Sequence, residues 1–255
     1  MKVAAIVHIF YPELWVELAR SLRNFNACEL DIYATVPEGA PPSIADAIRR
    51  DFPSATVVTM ENRGFDVGPF IEMLAHINIE AYDFVVKLHT KRNRFGIVNF
   101  MPMFGGQWRR RLLSFCRNRR DVEKCWYIFG ENTKVGMIGA GELIVDESDD
   151  HSWTFVGGTM FIARAHLFAE LQGRIRLCNF ELSNRSQTAS LAHEWERHLG
   201  RLVYENGMTI AGWPERSLLF SLTLPFRRLV YSACVMAKCV IVNWRRNISR
   251  QQHYT

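Results

Sequence analysis

Residues 57–94 read VVTMENRGFDVGPFIEMLAHINIEAYDFVVKLHTKRNR. Val57 to Met60 is a short apolar, β-branched run, the pattern of a buried strand. Pro69 suits the first turn of a helix, and Phe70, Leu74 and Ile77 then fall on one helical face. Glu61 to Gly68 is therefore a strand-to-helix turn. Phe84 to Leu88 is a second strand, and it delivers His89, Lys91 and Arg92 to its end, with Lys87 just before them. In open α/β sheets, ligands bind at such carboxyl ends. Gly64 and Gly68 let backbone approach a ligand, and the helix N-terminus behind them favours an anion. Asp66 is placed to cap that helix or to accept from a sugar hydroxyl. The cluster Lys87, His89, Lys91 and Arg92 suits a polyphosphate. The plainer alternative is that basic residues simply follow a strand into solvent.

The same alternation extends outward. Lys2 to Ile9 reads as the first strand, with His8 at its end and Tyr11 in the turn. Pro12 and Glu13 open a helix carrying the stripe Leu14, Trp15, Leu18 and Leu22. Glu29 to Val36 is the second strand, and Ser43 with Asp46 predicts a capped helix ending near Asp51. Strand and helix in strict alternation predict an α/β fold, a mostly parallel sheet flanked by helices. Right-handed crossovers then place the loops after His8, Val36, Met60 and Leu88 on one edge. Further on, Trp108, Leu112 and Phe115 mark a helix on which Arg109 to Arg111 cannot all point one way, so at least one faces solvent. It reads as a solvated basic helix, with a binding patch as the alternative, and Val122 to Phe129 marks another helix. KVGMIGA (134–140) is a short strand. Glu142 to His151 is acidic and reads as a solvated loop, with metal binding by Asp146, Asp149, Asp150 and His151 as the alternative. WTFVGGTMFIAR (153–164) reads as one strand with a close backbone approach at Gly157 and Gly158, followed by a helix from Arg164 to Leu171. Asn179 to Thr188 is a polar loop. Ser190 to Leu202 is a helix with His193, Glu194, Glu196 and Arg197 away from its apolar face.

Composition sets bounds. At 255 residues the chain divides into an α/β domain, 1–216, and a helical tail, 217–255. Its net charge of +5 permits phosphate-bearing substrates or an anionic membrane surface. No zinc-finger or RNP-type signature accompanies that charge, so nucleic acid is not an expected partner. No two cysteines form a C-x-x-C pair, which argues against a zinc site and for a reducing compartment. The N-terminal apolar run meets Tyr-Pro-Glu rather than a cleavage site, so the protein is expected to be cytoplasmic. The tail is apolar but broken by Pro225, Arg227, Arg228 and Lys238, and it reaches Trp244, Arg245 and Arg246. It is read as an interfacial helix at a membrane surface or as a helix packed on the domain, not as a full crossing.

Six motifs in order, HIFYPELW (8–15), ENRGFDVGPF (61–70), YDFVVKLHTKR (82–92), KVGMIGA, FVGGTMFIAR (155–164) and LAHEWER (191–197), resemble the rhamnan synthesis protein F family. The resemblance implies a glycosyltransferase-like module with a GT-A-like, Rossmann-like sheet, acting on bacterial cell-surface polysaccharide such as rhamnan or O-antigen. It suggests dTDP-L-rhamnose as donor, inversion at the anomeric carbon, a lipid-linked glycan acceptor and partner glycosyltransferases. GT-A enzymes commonly end the fourth strand in an Asp-x-Asp metal site. Here that position reads Lys87-Leu88-His89-Thr90-Lys91, so no divalent metal cofactor is expected. Positive side chains would stabilise the leaving diphosphate instead. On this view His8 and Tyr11 stack on the base, while Asn62, Arg63 and Asp66 contact base, ribose or phosphate. His89, Lys91 and Arg92 hold the diphosphate, and Gly158 lies beside the acceptor. The candidate general base is Glu196 or His193 in LAHEWER, with Asp149 and Asp150 as the fallback. The competing readings are a non-catalytic module that binds glycan or nucleotide sugar for a partner transferase, and a membrane-surface scaffold.

Overall fold

A computed structural model describes residues 1–92, 96–98, 101–103, 105–146, 154–183 and 190–215, together with 226, 229 and 230. The tail reading, the interval 217–255, lies almost wholly outside the described residues, as do Asp149 and Asp150. Among the described residues no helix is long and apolar enough to cross a membrane.

The first half follows the expected alternation: β1 (Lys2–His8), α1 (Trp15–Leu22), β2 (Glu29–Pro37), α2 (Pro42–Asp51), β3 (Thr56–Met60), α3 (Val67–His76) and β4 (Phe84–His89). A hairpin follows, β5 (Gly96–Val98) and β6 (Met101–Met103), then α4 (Gly105–Leu112), α5 (Arg119–Glu131) and β7 (Val135–Gly139). The chain ends its described core with β8 (Ile144–Asp146), β9 (Thr154–Val156), β10 (Phe161–Arg164), α6 (Leu191–Glu205) and β11 (Thr209–Gly212). Seven strands form one sheet in the order β11-β7-β10-β4-β1-β2-β3. Every pairing is parallel except those of β10, which runs antiparallel between β4 and β7. The mostly parallel, helix-flanked sheet is thus the architecture the alternation implied.

Side chains on β1 alternate, so Val3, Ala5 and Val7 enter one core with α1, α2 and α5, while Ala4 and Ile6 enter the other with α3 and α6. On β4 the same alternation sends Phe84, Val86 and Leu88 to the first face. Lys87 and His89 therefore point to the α3–α6 face. Sheet order reverses at β1, because β2 and β3 extend one way and β4 lies on the other side. Such a switch point opens a crevice beyond the carboxyl ends of the two central strands. His8 and His89, paired in register, stand at that crevice.

Several local expectations are corrected. β3 is an edge strand with only Met60 buried, because no strand among the described residues pairs with its far side. The run 153–164 is two strands, not one. Residues 157–159 turn the chain between β9, which pairs with β8, and β10 in the main sheet. β11 was not anticipated, since four residues leave no visible period. Pro12–Leu14 is a 3₁₀ turn before α1, and Ala165–Leu171 is 3₁₀ rather than α-helical. The α2 helix starts at Pro42 with no side-chain cap, so the Ser43 reading fails. Helix α3 is buried from Val67 through Leu74, not along one stripe. Its one acidic residue, Glu72, is met by the Arg176 guanidinium and by the Leu177 N–H at 2.7 Å.

Helix α6 lies directly on β9 because Gly200 has no side chain. A Cβ there would stand 2.2 Å from the Thr154 carbonyl oxygen and 2.7 Å from Phe155 Cβ. Gly200→Ala should therefore cost about 1–3 kcal/mol, the usual penalty of overpacking, and lower Tm by roughly 2–4 °C per kcal/mol. Thermal unfolding of the variant checks this; an unchanged Tm would mean that α6 is not seated so closely.

Candidate functional site

The loop between β3 and α3 is tightly built. Gly64 has φ +63°, and a Cβ on it would meet the Phe180 ring at 2.6 Å. A Cβ on Gly68 would stand 2.3 Å from the Arg63 carbonyl oxygen. The segment around Ser183 zips onto this loop: Gly64 N–H donates to the Glu181 carbonyl at 3.1 Å, Ser183 N–H to the Asn62 carbonyl at 2.9 Å, and Phe65 N–H to Ser183 Oγ at 2.7 Å. Arg63 belongs to this scaffold. Its guanidinium bonds to Glu61 at 2.6 and 3.1 Å and to the Phe180 carbonyl at 3.0 Å. It does not line the pocket described below, so its proposed ligand role is not supported by position.

Asp66 is the N-cap residue of α3 but makes no side-chain cap bond. The carboxylate turns instead toward β4. Lys87 Nζ donates to Asp66 Oδ2 at 2.5 Å, to Thr159 Oγ1 at 2.9 Å and to the Thr159 carbonyl at 3.0 Å. Thr159 Oγ1 also donates to Asp66 Oδ2. Lys87 is 1% exposed and sits over the Phe70 ring, so it is a structural cation and not a contact for diphosphate. Its three donors are all used, which is what a buried ammonium requires.

Thr159 has φ +50° and Gly158 φ +83°. At φ +83° any other residue at 158 would be strained, and its Cβ would press on the end of the Leu112 side chain at 2.5 Å. Gly158 N–H donates to Glu196 Oε1 at 2.6 Å. A continuous chain of contacts therefore runs from the β3–α3 loop through Lys87 and the 157–159 turn to Glu196 on α6.

These parts enclose a pocket of about 440 Å³ at the carboxyl ends of β1 and β4. Ten of the residues singled out from the sequence line it: His8, Tyr11, Asn62, Asp66, His89, Lys91, Arg92, Gly158, His193 and Glu196. Arg63 and Lys87 do not. Tyr11 N–H donates to Thr90 Oγ1 at 2.8 Å, which binds the turn after β1 to the loop after β4. Lys91 Nζ lies 4.4 Å from the Trp108 ring centroid. The Arg92 guanidinium stacks 4.5 Å from the Tyr11 ring and pairs with Glu13 at 3.0 Å. His193 Nδ1 and Ser190 Oγ share a hydrogen bond of 2.8 Å.

Charge in the pocket is uneven. Burial lowers both imidazoles, His8 to about 4 and His89 well below its ordinary value, so both are neutral near pH 7. His89 therefore offers polarity and not charge, which leaves Lys91 and Arg92 as the pocket's cations. Burial alone would raise the Asp66 carboxyl, but His89 when protonated, Lys87 and Lys91 outweigh it and hold Asp66 well below the usual range. Glu196 goes the other way: burial raises it, against the lowering effect of the Gly158 N–H. Two carboxylates in one pocket are thus pushed apart, one fixed as an anion and one able to exchange a proton.

The pocket also uses Phe10, Phe65, Thr90, Thr159, Ser183 and Ala192, which the sequence reading did not select. Thr90 adjoins the basic cluster and could have been found. Thr159 follows Gly158 inside the FVGGTMFIAR motif and could have been found too, whereas Ser183 could not, since neither a period nor a motif sets it apart.

A family model bears out the family resemblance over the part of the chain that holds the first four motifs. The family model described as rhamnan synthesis protein F matches residues 1–146, more than half of the chain. The chain is similar to proteins described as "Uncharacterized protein WxcX" from two strains of Xanthomonas campestris pv. campestris, at 25% identity over 228 residues and 81% of this chain. It spans about a third, 32%, of the length of those relatives. A solved structure, 4-diphosphocytidyl-2C-methyl-D-erythritol synthase, aligns over 83% of this chain and 90% of its own with 13% identity and a TM-score of 0.42.

Removing the Lys87 ammonium leaves a largely buried Asp66 anion without its closest partner. Lys87→Met should cost about 3–5 kcal/mol in urea unfolding, and Lys87→Met with Asp66→Asn should cost less than the two single changes added. A loss under about 1 kcal/mol for Lys87→Met, the level of a surface ion pair, would sink the structural role given to Lys87.

Proposed function

We propose that this chain, which belongs to the rhamnan synthesis protein F family, is a metal-independent, inverting glycosyltransferase module. In this reading it moves a hexosyl group, L-rhamnose from dTDP-L-rhamnose, onto a lipid-linked, growing cell-surface glycan. The observation that carries the reading is the pairing, in one pocket, of a cationic strand-end loop with a carboxylate of raised proton affinity. Lys91 and Arg92 face where a diphosphate would lie. The neutral His8 and His89 and the Phe10–Tyr11 pair, 4.8 Å between centroids, offer polar and flat surfaces for nucleoside and phosphate. Family membership supports a role in polysaccharide synthesis.

The step needs one base and one stabilised leaving group. Glu196 accepts the proton of an acceptor hydroxyl as that oxygen attacks the anomeric carbon. The bond from that carbon to the diphosphate oxygen breaks, and its electron pair leaves on dTDP. Lys91 and Arg92 stabilise that charge. The Gly158 N–H holds Glu196 in place, and its bond strengthens the ionised form. Asp66 is a poorer base because its ionised form is already strongly stabilised.

The first test is thermal unfolding with dTDP, dTDP-rhamnose, UDP and GDP, each with EDTA and with magnesium. A ligand at about a hundred times its Kd adds about 2.7 kcal/mol, a rise of roughly 5–10 °C for a domain of this size. The expected result is a rise with dTDP or its sugar that survives EDTA and is lost in Lys91→Ala with Arg92→Ala. A rise confined to magnesium would sink metal independence, and no rise with any nucleotide would sink the donor site.

The second test is the pH profile of turnover. A base works deprotonated, so kcat should fall as pH drops through the raised pKa of Glu196, above the ordinary carboxylate range. Glu196→Gln should abolish that limb and most turnover while leaving the dTDP-induced thermal shift intact. Wild-type turnover in Glu196→Gln would remove Glu196 from the mechanism.

A further inference from the structure

Among the described residues, two non-glycine residues adopt positive φ, Phe65 at 54° and Thr159 at 50°. Both line the pocket. A side chain in this region is disfavoured by contact with its own backbone, more so for a bulky one. Thr159 has an evident compensation, since its hydroxyl and carbonyl serve Lys87 and Asp66. Phe65 has less. Its N–H is held by Ser183 Oγ, but its side chain makes no polar contact and is only half buried at the edge of the α3–α6 core. Gly64, also left-handed, precedes it, so two successive residues are wound to aim one aromatic ring.

That ring meets His193 edge to face, with centroids 5.8 Å apart and planes at 71°. The His193 ring is itself fixed by Ser190 Oγ. Glu196 follows three residues later on α6, so it rises from the same side of the helix as His193. The aromatic pair and the proposed base thus belong to one wall, built from the β3–α3 loop and α6. Phe10, Tyr11, Lys91 and Arg92 come from the turns after β1 and β4.

We infer that Phe65, backed by His193, is a stacking platform for the C–H face of the acceptor's terminal pyranose, setting one of its hydroxyls against Glu196. The inference rests on the reading of Glu196 as the base. A pyranose offers an apolar C–H face and a rim of hydroxyls. An aromatic ring covers the face by dispersion and loss of hydration, while the rim is left for Ser183 and Glu196. The fixed backbone means that the platform is in place before the sugar arrives, so little ordering cost falls on binding.

The test is saturation-transfer NMR with methyl α-L-rhamnopyranoside as the acceptor probe and dTDP present. Wild type should bind, with the strongest transfer to ring protons of one face. Phe65→Leu keeps an apolar side chain but no flat face, and should weaken binding about three- to tenfold. Phe65→Trp should keep it. Both variants should keep the dTDP thermal shift. Equal affinity in Phe65→Leu and wild type overturns the platform, and so does a wild type that takes dTDP but not the glycoside. Loss of dTDP binding in wild type, with glycoside binding still weakened in Phe65→Leu, would instead remove the donor reading and keep the platform.

Discussion

A lysine ammonium placed inside a protein must be paired, and much of this pocket follows from how Lys87 is paired. The β-strand period turns Lys87 to the same face as Ile6 and His89, into a layer otherwise filled by Phe70 and Phe161. Water cannot solvate it there. Its partners must come from other elements: a carboxylate from the loop before α3, and a hydroxyl and a carbonyl from the turn before β10. One buried charge thereby draws three distant stretches of chain to one point. Replacing such a pair by apolar groups is often neutral for stability, so its contribution is better sought in geometry than in net free energy.

The geometric consequence reaches Glu196. Thr159 is held left-handed by bonds to Asp66 and Lys87, and Gly158 beside it has a left-handed backbone that favours glycine. This aims the Gly158 N–H at Glu196. The two pocket carboxylates then differ for one reason. Asp66 touches a cation, whereas Glu196 touches a neutral amide and is otherwise desolvated. A carboxylate beside a cation is held as an anion, while one in an apolar setting binds a proton more readily.

The long-range zipper explains why the loops stay in register. The segment 181–183 has no strong secondary structure of its own, yet its backbone and the Ser183 hydroxyl satisfy the donors that the β3–α3 loop would otherwise leave open. Arg63 closes the same seam through the Phe180 carbonyl. A basic residue next to a glycine-rich turn reads as a ligand contact, but here it spans two loops, with its charge met by Glu61.

Local pattern in the sequence settles a good deal. β-branched runs, helical stripes and their alternation specify the parallel half of the sheet, and topology then forces the ends of β1 and β4 together, so His8, Tyr11, His89, Lys91 and Arg92 were legible as neighbours. The LAHEWER helix was legible as a helix, and its acidic and imidazole groups as candidates. What tertiary structure alone decides is where charge is neutralised. Lys87, Lys91, Arg63 and Arg92 look alike along the chain. Burial and partners more than 20 residues away make Lys87 a structural ion and tie Arg63 to Phe180, while Lys91 and Arg92 remain at the pocket. The same holds for Phe65 and Thr159, whose left-handed backbone no propensity predicts. Such conformations cost free energy locally, and only contacts between distant segments compensate for them.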